Sequence, residues 1–274
     1  MGSTRGTHMA AKKRAAPLHR SSPRKRGPRT SGTKELNSRL RGNERIEELS
    51  SPNLYRLLTW LSPSYPVGAF SYSSGIEWAV EAGDIADAAS LQAWLAVMLG
   101  EGSGFCDAVL FAHAHRAAAE QDDKALRVVA ELGQAFPSSK ERHLETTAQG
   151  NAFVDATRAA WPAPALDRLK QIWDGPVAYP VAVAVAAGGH GIARKPALLA
   201  FLQALAANWV SAGVRLVPLG QTQGQRVLAA LEETVARTAV RALATPLDDL
   251  AAAAFRADLA AARHETQYTR LFRS

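Results

Sequence analysis

At 274 residues, 47% apolar and with a single cysteine, the chain can bury one large core or two small ones and excludes an intrachain disulfide framework. Its net charge of +7 is local. Residues 1–52 hold four Lys and nine Arg against four Glu, a net +9, whereas 53–274 hold 19 basic and 21 acidic residues, a net −2.

The basic lead is poor in aromatic and β-branched residues and rich in Arg, Lys, Ser, Gly and Pro. The sequence therefore predicts a disordered tail at 1–48 and a globular domain at 49–274. The lead has no interleaved aromatics and no recognisable reading module, which disfavours nucleic acid as a partner. It has no apolar signal-peptide core, although an Arg-rich, acid-poor lead also suits an organellar transit peptide. No segment reads as the roughly 20 consecutive apolar residues that span a bilayer. The lone Cys106 fits a reducing compartment, so a cytoplasmic location is expected.

Ser51-Pro52 reads as a cap and a first-turn proline for a short amphipathic helix over 52–62. Pro63 and Pro66 then break the helix, and Ser71, Ser73 or Ser74 caps a new one that Gly83 stops in the left-handed conformation. Leu91, Trp94, Leu95, Met98, Leu99, Phe105, Cys106, Val109 and Leu110 mark one stripe of a helix of about eight turns, with Gly102 on the stripe where a neighbour comes close. Residues 123–135 are helical. Ser138 and Glu141 have capping-box spacing for a helix running to about Ala160.

A break at 161–164 and a short helix near 165–173 follow. Residues 177–187 are valine-rich, yet no partner strand exists for them, so a buried alanine-rich helix is the better reading. Gly188 to Gly191 reads as a flexible loop, and Pro196 starts a helix with Leu199, Leu202, Leu205 and Trp209 inward. After a break at 214–221, Val227, Leu228, Leu231 and Val235 share one helical face. Thr245-Pro246 with Asp248 and Asp249 predicts a helix running to about Arg263. The fold class is all-α, a single globular domain of about nine or ten helices, with no repeating period.

Catalytic signatures are scarce. There is no phosphate-cradling G-x-x-x-x-G-K-[ST] and no H-E-x-x-H. His113 and His115 lie two apart on a helix, about 200° apart, so they do not form a simple metal pair. Cys106 sits on a buried stripe, where a thiol is a poor nucleophile. No catalytic residue, metal ligand or cofactor is assigned. The C-terminal ARHETQYTRLFRS instead offers Tyr268, Leu271 and Phe272 as apolar anchors and Arg263, His264, Arg270 and Arg273 for charged hydrogen bonds. Such a tail buries too little to order itself until a partner covers it.

Three blocks carry a resemblance: PVGAFSYSSGIEWAVEAG from Pro66 to Gly83, GVRLVPLGQTQGQ from Gly213 to Gln225, and ARHETQYTRLFRS from Ala262 to Ser274. In this order they resemble the urease accessory protein F family. The resemblance implies an all-α homodimer that is not an enzyme. It implies a scaffold joining the D (or H) accessory protein to the nickel-carrying GTPase accessory protein G, and GTP-dependent nickel insertion into apo-urease. Nickel and GTP then belong to the complex and the partner, not to this chain. By resemblance, Arg270, Leu271, His264, Glu265 and Tyr268 meet the D/H protein, Phe70 is the motif aromatic, and Glu77, Glu141, Arg215 and Gln221 face the GTPase. The competing expectation is a catalytic activator of the GTPase, with Arg194 or Arg215 as an arginine finger.

Overall fold

The computed structural model describes residues 49–274, which form one compact unit. The expected disordered tail lies outside the described residues. Within them every regular element is helical. The α-helices are α1 Ser51–Trp60, α2 Ile76–Glu81, α3 Ala88–Glu101, α4 Ser103–Glu120, α5 Asp123–Ala135 and α6 Lys140–Ala160. They continue as α7 Pro164–Ile172, α8 Tyr179–Gly189, α9 Arg194–Leu216, α10 Gln221–Ala230, α11 Glu232–Ala244 and α12 Phe255–His264, with 3₁₀ turns at Ala69–Ser71 and Leu247–Asp249. Counting the kinked pairs α3–α4 and α10–α11 once each gives ten helices among the described residues, as the sequence predicts.

The valine-rich segment is a helix, and it is the centre of the fold. Every residue of α8 from Pro180 to Gly188 is buried. A helix apolar on all sides is stable in water only if neighbours surround it. Here α4 and α6 provide the largest contacts, and α5, α7 and α9 complete the wall. Gly150 of α6 allows the tightest approach: a Cβ there would sit 1.9 Å from the Val177 carbonyl oxygen. Around α8, Phe153, Tyr179 and Phe201 pack edge-to-face or tilted, with centroids 5.7–6.0 Å apart.

Local departures from the sequence reading have local causes. The stripe from Leu91 to Leu110 is two helices, because Gly102 leaves helical geometry (φ −113°, ψ −148°) and Ala254 packs against it. Gly188 and Gly189 are the last turn of α8 rather than a loop; a Cβ on Gly188 would meet the His115 carbonyl at 2.8 Å. Ser139, not Ser138, caps α6 by accepting from Arg142 N at 3.2 Å. The helix expected from Thr245 starts only at Phe255: 250–254 has no regular structure, and Ala253 N donates to the Glu101 carbonyl instead. By length and composition alone, 88–120 and Arg194–Leu216 are apolar enough to cross a bilayer, which corrects the residue-run reading; in the fold both line the core.

Candidate protein-binding site

The segment Pro63–Gly83 folds back on itself before α2. Gly68 and Gly83 take positive φ (71° and 78°), and Ala69–Ser71 makes a 3₁₀ turn between the two halves. None of the three serines is the N-cap of α2. That place belongs to Gly75 (φ 83°), where a side chain would strike the Ala261 amide of α12 at 2.6 Å. The close approach brings α2 against α12 and sets Glu77 beside His264.

Glu77 is 6% exposed, and its carboxylate is the fastening point of the C-terminus. One oxygen accepts from Leu271 N at 2.7 Å; the other accepts from Phe272 N at 2.9 Å and faces His264 Nε2 at 3.1 Å. His264 is fully buried, and its Nδ1 lies 2.6 Å from Glu141 Oε2. Each ring nitrogen of His264 thus faces a carboxylate oxygen, one from α2 and one from α6. The other Glu141 oxygen takes Arg270 at 2.6 Å. Glu265 accepts from Lys140 N at 2.8 Å, satisfying one free amide at the start of α6.

The last four residues then run beside residues 71–73. Arg273 N donates to the Ser71 carbonyl at 2.8 Å, and Ser73 donates to the Ser274 oxygen through its amide at 2.7 Å and through its hydroxyl. Phe272 is 5% exposed under the Arg215 guanidinium, 4.3 Å from its ring centre. Arg215 also donates to the Phe70 and Ser211 carbonyls, at 2.9 and 3.2 Å. The C-terminal residues are thus ordered by their own chain, contrary to the expectation of a free tail, and Phe272 is a core residue rather than an exposed anchor. The cause is the pair of backbone amides that Glu77 accepts, an interaction that composition does not reveal.

A second buried network lies behind the first. Ser74, held at φ 55°, accepts from Arg142 and from Trp209 Nε1, both at 2.8 Å, and donates to Glu145 at 3.0 Å. Arg142 and Glu145 pair at 2.6 Å, and Ser274 Oγ adds a bond to Glu145 at 2.6 Å. Sequence reasoning named Ser74 only as a helix cap and Trp209 only as core, and did not single out Arg142, Glu145 or Ser274 for this network. The available signal was on α6, where Arg142, Glu145, Thr146 and Gln149 recur at helical spacing on the inward face.

The structure therefore sorts the ten residues singled out in the sequence. Glu77 and His264 are buried and hold the C-terminus; Glu141 and Glu265 are partly buried and hold it from α6. Arg215 ties Phe70 to Phe272. Phe70 (66%), Leu271 (76%) and Tyr268 (fully) are exposed on the surface this frame supports, with Arg270 beside them. Gln221 is exposed at the first turn of α10, away from the C-terminal bonds. Leu54, Tyr55 and Leu58 of α1 add exposed apolar surface.

The cysteine and the histidine pair weighed in the sequence are engaged within the fold. Burial pushes the Cys106 thiol up to about 12, aided by the nearby carboxylates of Asp107 and Asp258. His113 and His115 turn to different carbonyls, those of Thr245 and Ile192. Among the described residues no three or more His, Cys, Asp or Glu side chains are grouped to hold a metal ion.

The sequence model of the UreF family matches residues 85–232, more than half of the chain. The urease accessory protein UreF of Rhodopseudomonas palustris (strain BisB18) is 63% identical over 221 residues, covering 81% of this chain and 92% of that protein. The UreF proteins of Bradyrhizobium sp. (strain BTAi1) and Bradyrhizobium diazoefficiens are 62% and 61% identical, over 84% and 81% of this chain and 95% and 91% of their own lengths. With an all-helical domain and identity of this extent, the chain belongs to the UreF family of urease accessory proteins.

Proposed function

We propose that this chain is a non-catalytic scaffold in urease maturation, which holds the D/H accessory protein and the nickel-carrying GTPase accessory protein G together for GTP-dependent nickel insertion into apo-urease. The observation that carries the reading is the C-terminal frame. Glu77 holds the backbone of Leu271 and Phe272, Glu141 holds the Arg270 side chain and His264 sits between the two carboxylates, while Leu271, Tyr268 and Phe70 face outward. Rigid presentation lowers the ordering cost of association, and exposed aromatic, aliphatic and arginine side chains are what interface cores use. This surface is assigned to the D/H protein, with Gln221 and the outer side of Arg215 turned to the GTPase. The protein works as a homodimer in the cytoplasm, with no membrane or nucleic-acid partner. It uses no cofactor of its own; nickel is cargo and GTP belongs to the partner.

The competing reading, a catalytic activator, needs a mobile arginine. Arg215 is tied to two carbonyls and stacked on Phe272, which argues against it as a finger. Co-expression with the D/H and G proteins, followed by size exclusion, tests the scaffold. The wild type should elute with both partners, and Leu271→Asp should lose the D/H protein while remaining folded. Failure of the wild type to co-elute with either partner, or a GTPase turnover raised by orders of magnitude on adding this chain alone, would overturn it.

A further inference from the structure

Beneath the loop at 61–70 lies a cavity of about 340 Å³, closed by the facing sides of α4, α6, α8 and α9. Its walls carry polar groups that the fold leaves unused. Gln149 is only 5% exposed, lines the cavity, and its side-chain amide meets no hydrogen-bond partner among the described residues. The Asp107 carboxyl and the Tyr179 hydroxyl line the same space and likewise form no hydrogen bond among the described residues. Asn208 donates to the Ala69 carbonyl at 3.1 Å, which leaves its own carbonyl oxygen unused. Of the four only Gln149 is buried; Asp107, Tyr179 and Asn208 are half-buried and open onto the cavity, so polar groups without a protein hydrogen bond converge on one space that a ligand can fill.

The balance of the unused groups defines its chemistry. The Asp107 carboxyl and the amide oxygens of Gln149 and Asn208 accept; the inner donors are the Gln149 amide and the Tyr179 hydroxyl, with Gln203 and Ser211 at the exposed rim. The Arg142–Glu145 pair on the floor neutralises itself at 2.6 Å, and Glu145 is further bonded by Ser74 and Ser274. Asp107 faces that pair and, once ionised, supplies the remaining negative charge of the space. The rest of the wall is apolar, with Leu61, Pro63, Val67 and Leu205, and Phe70 stands exposed among the lining residues. An acceptor-rich, acidic space with apolar sides fits a cationic head on an alkyl stem.

We propose that this cavity receives a primary ammonium or guanidinium group on a short alkyl chain, the cation against Asp107 and its N–H donors on Gln149 and Asn208. Such a group comes either from a free amine or from a Lys or Arg side chain of a docked protein. The cavity borders the C-terminal frame through Phe70 and Glu145, and its occupancy is read on the isolated full-length chain, without the partners of the proposed function.

The test is titration with n-butylammonium, n-butanol and a capped Ala-Lys-Ala peptide at matched ionic strength, followed by the ¹⁵N side-chain amide signals of Gln149 and Asn208. Saturable shifts with the two cations, at least about tenfold weaker with butanol, are expected. Saturation by butylammonium below about 1 mM identifies a free amine as the source; peptide binding about tenfold tighter than butylammonium identifies a protein side chain. Asp107→Asn should abolish the shifts while keeping a cooperative melt. Gln149→Leu should weaken binding and provides the check if the first variant does not fold. No saturation by either cation up to about 20 mM, equal binding of butanol, or unchanged binding in both variants would overturn the proposal.

Discussion

The carboxylate of Glu77 and the amide of Leu271 meet at 2.7 Å across 194 residues of sequence. Through that bond and its neighbour to Phe272, the first turn of α2 determines the conformation of the C-terminal residues. A charge that is itself 7% exposed on its side chain thereby sets the geometry of an exposed surface.

Glu77→Ala removes the acceptor for one buried and one partly buried amide and the carboxylate that faces His264. Leaving such groups without their charged partner costs about 3–5 kcal/mol. The loss should appear first as local opening: amide exchange and proteolysis at 265–274 rise before α8 is affected. Urea denaturation with hydrogen exchange checks this, and a variant less than about 1 kcal/mol weaker with full C-terminal protection would refute the assignment.

Adjacent residues at the C-terminus should behave oppositely. Phe272→Ala vacates a buried site under Arg215 and should destabilise by about 3–5 kcal/mol. Leu271→Ala alters a side chain that is 76% exposed, so stability should stay within about 0.5 kcal/mol. If Leu271 meets the D/H protein, the same change weakens that association at least about tenfold. Denaturation midpoints and pull-down with the partner separate the two effects.

How much of this was legible in the sequence follows from the range of the forces involved. Helix positions rest on periodicity and local breakers, so α5 appears at 123–135 as predicted and the break expected at 161–164 is found at 161–163, with Pro164 opening α7. The valine run was resolved as a helix by asking where strand hydrogen bonds would go. What failed was contact between distant segments. Nothing near Thr245 announces that the Glu101 carbonyl takes the Ala253 amide, and nothing near Ser274 announces Glu145. Glu77 and His264 were singled out by motif, and only the fold shows that they act from the inside.

Cys106 offers a direct probe of global opening. With its pKa pushed up to about 12 by burial, the thiol carries almost no thiolate at pH 8 in the folded chain. Aromatic disulfide reagents should label it only as fast as the protein unfolds, and immediately in denaturant. Rapid labelling of the native protein would mean that α4 opens locally.

Asp107 gives the stability a pH dependence of definite sign. Burial, opposed by Arg142 and reinforced by Glu145, pushes its carboxyl up to about 7 in the folded chain, against an ordinary value near 4. The groups facing it are that α6 pair and the Cys106 thiol beside it, which stays protonated in this range. Between pH 4 and 7 the folded state holds this proton and the unfolded state has released it, so the stability Asp107 contributes is complete below about pH 4 and declines until about pH 7. The full shift sets a ceiling of about 4 kcal/mol on that loss. Asp107→Asn carries no such proton. The variant should match the wild type near pH 4.5 and exceed it near pH 7.5, a difference that urea titrations at the two pH values would reveal. Equal stability of the two proteins at both pH values would mean that the cavity already hydrates this carboxylate, and the case for a cationic guest beside it would weaken with it.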